Sequence, residues 1–191
     1  QKRLGRELIS DLGKYLVIFV FLAGLISLVS GFLVADNSMI AAYNESFEKY
    51  QIEDGNFTLS QKADASMLEQ METDQNLHIY ENFYIEETTK EVESTLRIFI
   101  NRTEVDKVCL MDGSFPETTP EIAIDRMYAD NNDLTVGDTL TVGGKEMHIS
   151  GLVALSDYSA LFSDPSDMMF DSIKFGVAIV TEETFDAFGD A

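Results

Sequence analysis

Tyr15 to Ala35 reads YLVIFVFLAGLISLVSGFLVA, a stretch of twenty-one residues without one charged side chain. A membrane-spanning helix needs about 20 apolar residues, and as a helix this stretch would be about 31 Å long. It is apolar on every side, unlike a helix that packs one face on a soluble core. It is longer than the apolar part of a signal peptide, and no A-x-A cleavage pattern lies near Ala35. We predict a transmembrane helix over 15–35, with a signal peptide and a buried helix as the alternatives.

Charge is distributed unevenly on the two sides of this stretch. The chain has 13 basic and 34 acidic residues, but residues 1–14 contain four basic and two acidic ones. Residues 36–191 therefore carry a net charge of −23. Short basic flanks stay in the cytoplasm, so we predict a cell-membrane protein with a cytoplasmic N-terminus and an extracytoplasmic segment over 36–191. Such an anionic surface repels phosphate, which argues against a nucleic-acid partner.

Two segments border the predicted span. In residues 1–14 the apolar positions lie on one helical face (Leu4, Leu8, Ile9 and Leu12), which predicts a basic amphipathic leader in the headgroup plane or a direct continuation of the membrane helix. Residues 36–52 repeat apolar side chains at helical spacing (Ile40, Tyr43, Phe47 and Tyr50), which predicts a helical stalk. A stripe of this kind most often packs into a core, and a partner subunit is the other possibility. The chain begins at Gln1, so it can be a piece of a longer protein.

Residues 53–191 are predicted to form one α+β domain. Strands are expected at 56–60, 77–80, 83–85, 96–100, 105–111, 121–124, 139–142, 145–155 and 175–180. Gly143-Gly144 predicts a tight hairpin, because glycine accepts positive φ. The apolar run of Phe175 to Val180 predicts an interior strand. Short helices are expected after three capping residues or pairs, namely Asp64 or Ser66, Asp125 and Thr181. Asp112-Gly113 predicts a turn, and Pro116 and Pro120 bracket a loop.

Motifs for chemistry are missing from the sequence. There is no G-x-S-x-G, no phosphate-binding loop and no dinucleotide fingerprint. The acidic loops Asp130–Asp133 and Ser163–Asp167 lack the glycine and distal glutamate of a calcium loop. His78 and His148 have no paired spacing, and Cys109 is predicted to be a buried, inert thiol. We therefore predict no enzyme, no cofactor and no metal, and the sequence identifies no substrate-binding residue. Three N-x-[ST] triplets matter only in a glycosylating host, at Asn44, Asn56 and Asn101.

The order of elements over residues 121–153, EIAIDRMYADNNDLTVGDTLTVGGKEMHISGLV, is informative. A strand is followed by a short helix with Ala129, a Val136-Gly137-Asp138 turn and a hairpin that ends at Val153. Behind a basic leader, one span and a stalk, this order resembles the FtsX-like, MacB-like family of ABC transporter permeases. The closing FGVAIVTEETFDAF is similar to the last outer strand and helix of that family.

The resemblance implies a function and partners. It implies an outer domain of the MacB periplasmic-core type, a cytoplasmic ABC ATPase, a second permease copy or half, and further spans beyond this chain. In such permeases ATP-driven motion passes through the first span to the outer domain, a mechanism called mechanotransmission. It serves export, lipoprotein or peptide handling, or activation of an extracellular protein or peptide partner. The alternatives from other classes are the ligand-sensing ectodomain of a single-span receptor and an anchored extracellular enzyme.

Overall fold

A computed structural model describes residues 12–164 and 166–189 of the chain. It divides at Glu48 and Lys49 into two units. Helix α1 (Leu12–Tyr50) forms the described part of the first unit as far as Glu48, and its last two residues belong to the second unit. The prediction for 1–14 lies outside the described residues, except that Leu12 to Lys14 belong to α1. A long helix over the predicted span and stalk is confirmed: α1 has 39 residues and no buried side chain.

The second unit is an α+β domain, as predicted, and its sheet is mixed. Its helices are α2 (Ala65–Gln75), α3 (Arg126–Asn131) and α4 (Glu182–Phe188), with a 3-10 turn at Ser156–Tyr158. The strands are β1 (Tyr84–Thr88), β2 (Thr95–Ile100), β3 (Cys109–Gly113), β4 (Glu121–Asp125), β5 (Thr139–Val142), β6 (Lys145–Ala154) and β7 (Phe175–Val180). Their order is β1-β2-β7-β4-β6-β3, and β5 also pairs with β6.

Pairing in the sheet joins distant parts of the chain. β2 is parallel to β7, and β4 is parallel to β6, while the other neighbours are antiparallel. The chain just after β1 also meets β5, because Thr89 forms an isolated bridge to Val142. Two backbone bonds flank that bridge, from the Lys90 amide to the Thr141 carbonyl at 3.1 Å and from the Gly143 amide to the Thr88 carbonyl at 2.9 Å. A ring of six strands results, with β3 outside it.

The core of the domain consists of side chains from every strand except β3, whose residues are exposed or only half-buried. Gly176 of β7 has no side chain, and the ring of Tyr128 from α3 fills the space beside it. The hydroxyl of Tyr128 is not left unpaired, since it lies 2.6 Å from the Ser94 hydroxyl, which lies 2.8 Å from that of Thr89. The largest fully buried apolar side chains include Phe99, Leu96, Ile98, Ile122, Ile124 and Leu140.

Several local predictions are confirmed by specific hydrogen bonds. The carboxylate of Asp64 accepts from the Met67 amide, and that of Asp125 accepts from the amides of Met127 and Tyr128. Thr181 accepts from the Thr184 amide at the start of α4. Gly143 and Gly144 both have positive φ in the β5–β6 hairpin, and β7 is buried along its whole length. The loop that Pro116 and Pro120 bracket is also present, between β3 and β4.

Other predictions are wrong. Residues 56–60 and 77–80 are irregular, because no neighbouring strand offers its backbone groups to them. The strand expected from Val105 starts only at Cys109. Asp112-Gly113 lies at the end of β3 instead of forming a turn, just after a register shift between Leu110 and Asp112. Gly113 has φ 72°, and a Cβ there would lie 2.3 Å from the Ser150 carbonyl oxygen, so glycine is required at this position. Cys109 is half-buried, not buried, since its strand lies at the edge of the sheet.

Candidate functional site

The apolar helix α1 is the first candidate for a functional role. Within the described residues it is the single helix that is long and apolar enough to cross a membrane. Over residues 15–35 its large apolar side chains are exposed, from Leu25 at 49% to Phe19 at 72%, which a core helix of a soluble protein would not tolerate. The backbone groups are satisfied within the helix itself, as hydrocarbon requires of a spanning segment. By length and composition, α1 can therefore span a membrane.

The stalk part of α1 carries the apolar stripe that the sequence predicted. Ile40, Tyr43 and Phe47 remain exposed, and the rings of Tyr43 and Phe47 meet edge to face at 4.9 Å. The fourth residue of the predicted stripe, Tyr50, is half-buried. The expected packing against the chain is therefore present at that end of the stripe and absent at the three exposed residues. The physical reason is that the hydrophobic pattern of a helix records that one face is apolar, but not which surface covers that face.

The end of α1 is fixed within the sheet domain by backbone bonds. Gln51 follows the helix with φ 49°, a left-handed conformation that ends it. The carbonyls of Tyr50 and Gln51 accept from the amides of Lys107 and Asp106 at 2.8 and 3.0 Å. The Tyr50 hydroxyl lies 2.9 Å from the Cys109 sulfur and donates to it. Cys109 thus serves as an acceptor beside the end of the helix.

Asp106 organises this junction from a buried position. It is 2% exposed, and one of its carboxylate oxygens accepts from the Glu53 amide at 3.1 Å and the Ser156 hydroxyl at 3.2 Å. Burial raises the pKa of the Glu53 side chain, and the carboxylates of Asp106 and Asp157 raise it further. Arg102 pairs with both oxygens of Asp157 at 2.8 Å. Acids and one base from three distant segments therefore meet where the chain leaves α1, which no local sequence pattern indicated.

Arg97 forms a second cluster on the outer side of β2. Its guanidinium lies 4.4 Å from the ring centre of Tyr84 and 5.1 Å from that of Phe175. The same group donates to Glu86 at 2.6 Å, to the Tyr158 hydroxyl at 2.9 Å and to the Ser163 carbonyl at 2.8 Å. All of these partners are structural, so Arg97 fixes the start of the long β6–β7 connection. The charged residue inside the apolar alternation of β2 was the one signal for this in the sequence.

The residues weighed for metal or catalytic chemistry lie apart from one another. His78 is exposed in a loop with Nδ1 4.0 Å from a Glu72 oxygen, and His148 on β6 lies 3.1 Å from the Thr139 hydroxyl. Asn131 and Asn132 of the acidic loop donate to Ser172 and to backbone carbonyls, so they hold the chain before β7. No group of three metal-ligating side chains occurs in residues 12–164 and 166–189.

A shallow depression of about 400 Å³ opens beside the end of α1, within the sheet domain. Its walls are mainly polar, and Gln51, Tyr80 and Glu104 contribute to them. Thr103 and Glu104 are exposed to solvent, so water enters the depression freely. A reaction site for charged chemistry would need to exclude that water. It has the character of an open surface concavity.

Comparison with known proteins returned no relative. No family model matches the chain, and neither a curated protein nor a solved structure matches it.

Proposed function

We propose that this chain is the first span and outer domain of an ABC transporter permease subunit related to the FtsX-like and MacB-like permeases. In this proposal the sheet domain corresponds to a MacB-type periplasmic core. ATP-driven motion passes along α1 to that domain, which moves a substrate or activates an extracellular partner. The subunit itself performs no catalysis. An ATPase in the cytoplasm and a second permease copy or half complete the machine.

One observation supports the proposal most directly: α1 is a single unbroken helix from Leu12 to Tyr50. At a rise of about 1.5 Å per residue, the part beyond Ala35 extends more than 20 Å past the apolar stretch. A helix of this kind resists bending, and the residue that ends it is hydrogen-bonded into the sheet domain. In this proposal the continuous helix is the path along which motion passes from the apolar part to the domain.

The distribution of charge supports the orientation. The short segment before the span carries four basic and two acidic residues, and residues 36–191 after it carry a net charge of −23, as the positive-inside rule predicts for an extracytoplasmic domain. Labelling of single cysteines in intact cells with a membrane-impermeant maleimide tests this, in a Cys109→Ser background. Glu146→Cys, on an exposed strand position, should be labelled, whereas Ser10→Cys should react only after lysis. Protection of the cysteine at 146 in intact cells would contradict the proposed topology.

Transmission along the helix is tested by Ala42→Pro in the assembled transporter. Proline at this position removes a helix hydrogen bond and clashes with the Ser38 carbonyl, at a cost of roughly 3 kcal/mol or more. We expect ATP hydrolysis to continue while transport or partner activation is lost. Ala42→Leu is the matched control, because it keeps the helix intact. Unchanged coupling in the proline variant would refute the transmission proposal.

The nature of the whole protein is tested through its remaining parts. The proposal predicts that the reading frame beyond residue 191 encodes three further spans, and that the protein copurifies with an ATPase. One span followed by a kinase-like region would instead favour the receptor ectodomain.

A further inference from the structure

The connection between β6 and β7 exposes apolar side chains to an unusual degree. Met168 is 97% exposed and its neighbour Met169 is 84% exposed. Phe170 and Ile173 beside them are also about half exposed. Single exposed apolar residues are ordinary, but a contiguous set of this kind marks an interaction surface. These four residues are called the apolar tip.

Both ends of the connection are held in place. On the β6 side Leu161 is buried, and the Arg97 guanidinium donates to the Ser163 carbonyl at 2.8 Å. On the β7 side Ser172 is buried, and its hydroxyl accepts from the side-chain amide of Asn131 at 2.7 Å. The apolar tip is thus presented from two fixed points, which reduces the conformational entropy that a partner must remove on binding.

Acidic residues lie before the apolar tip and within it. Asp164, Asp167 and Asp171 lie within this short segment, and the sequence from 158 to 173 contains no lysine or arginine. Hydrogen bonds from the hydroxyl and amide of Ser166 lower the pKa of Asp164, so this acid stays charged at neutral pH. Asp167 accepts from the Ser163 hydroxyl at 2.7 Å. A partner that covers the tip must therefore also meet three carboxylates.

We propose that the apolar tip is a docking surface for a basic amphipathic helix of a partner polypeptide. The methionines adapt to the apolar face of such a helix, since their unbranched side chains fill irregular surfaces. Lysines and arginines on the rim of the helix pair with the three carboxylates. A second copy of the chain would bring the same acidic surface and is disfavoured by charge. An anionic bilayer is repelled in the same way.

This docking surface belongs to the sheet domain alone, so it does not depend on the side of the membrane that the domain occupies. The test uses the full chain in nanodiscs of neutral phosphatidylcholine, with empty discs subtracted. The probe is a labelled helical peptide of leucine and lysine, about 18 residues or five turns long, with leucine along one face. Fluorescence anisotropy measures its binding. The same peptide with glutamate for lysine, or with serine for leucine, should not bind.

Variants of the tip separate docking from general attraction. Met168→Gln/Met169→Gln should weaken binding by roughly tenfold or more, because the lost contacts are apolar. Met67→Gln, which changes a half-exposed methionine on α2, should leave binding unchanged. Neither change touches a buried side chain, so both proteins should fold.

A second set of variants tests the charges. The variant is Asp164→Asn/Asp167→Asn/Asp171→Asn, which removes three charges but keeps an oxygen acceptor at each position for the loop hydrogen bonds. Peptide binding should weaken several-fold at low salt, and the affinities of variant and wild type should converge at high salt. The matched control removes three exposed acids elsewhere, in Glu81→Gln/Glu146→Gln/Glu183→Gln. No binding by the wild type, equal binding by the methionine variant, or equal losses in both acid sets would overturn the proposal. Methionine-dependent binding to neutral vesicles would overturn it in favour of membrane insertion.

Discussion

The two units of this chain use similar apolar side chains in opposite ways. In α1, Leu25 is 49% exposed and no residue is buried, whereas in the sheet domain Leu96 and Leu140 are fully buried. The helix satisfies its backbone locally and leaves its side chains to an external apolar phase. The domain buries its own side chains, but it depends on backbone pairing between residues that lie far apart in sequence, such as Thr95 and Phe175. The sheet domain therefore takes its stability from its own core, whereas α1 has no core of its own and is long and apolar enough to cross a membrane.

The largest effect that separates the two units should come from removing a leucine side chain. Leu96→Ala leaves a cavity in a fully buried site, and we expect the free energy of unfolding of the sheet domain to fall by about 2–5 kcal/mol. Leu25→Ala is the matched control in the helix and should leave that free energy unchanged. Urea unfolding of the full chain in micelles, followed by the near-ultraviolet circular dichroism of the tyrosines, measures both. Equal losses would show that the two units unfold as one.

A smaller effect is expected when a glycine gains a methyl group. In Gly176→Ala the new Cβ would lie 2.5 Å from Cγ of the Tyr128 ring and 3.0 Å from Cδ2 of Leu96. The ring cannot shift freely because its hydroxyl is bound to Ser94, so we expect a loss of about 1–3 kcal/mol from overpacking. The same unfolding measurement applies.

Gly24→Ala provides the control for that substitution. A Cβ at Gly24 meets no atom within 4 Å, so the sheet domain should keep its full stability. A neutral Gly176→Ala would mean that the Tyr128 ring can move, and that the contact between α3 and β7 is looser than its distances indicate.

The sequence-based predictions are correct for features that depend on residues close together in the chain, and they fail for features that depend on distant residues. The caps at Asp64, Asp125 and Thr181 were predictable because each bonds to an amide two or three residues away. The hairpin at Gly143-Gly144 was predictable because only its own turn needs positive φ. Residues 77–80 show the limit: their apolar character suggests a strand, but a strand exists only where another one pairs with it.

The features that escaped the sequence analysis all join distant residues. The ring closes through Thr89 and Val142, and Asp106 bonds to Glu53, more than fifty positions away. Neither contact leaves a periodic pattern in the sequence. The apolar tip was noticed only as an acidic loop over 163–167, because the exposure of Met168 depends on how the ends of the loop are held. Side chains that look like core in a sequence become a surface when the fold places them outside.

The smallest expected effect concerns the acids at the end of α1. Burial raises the pKa of Glu53 above its ordinary value of 4.5, so the folded protein binds more protons there than the unfolded chain does. The stabilisation from this proton is complete below the ordinary pKa and is lost as the pH rises through the higher folded pKa. Glu53→Gln does not titrate and should therefore be more stable than the wild type at neutral pH, by less than about 1 kcal/mol.

Stability curves of the two proteins measured across pH 4 to 7 test this sign. The difference should shrink toward acidic pH, where Glu53 is protonated and resembles glutamine, and the Asn56 amide has an oxygen to donate to in both proteins. Glu146→Gln, on an exposed position, is the control and should show no such trend. The opposite trend, in which the difference in stability between wild type and Glu53→Gln grows as the pH falls, would contradict this inference. It would mean that the surroundings of Glu53 stabilise its carboxylate, whereas we infer that they destabilise it.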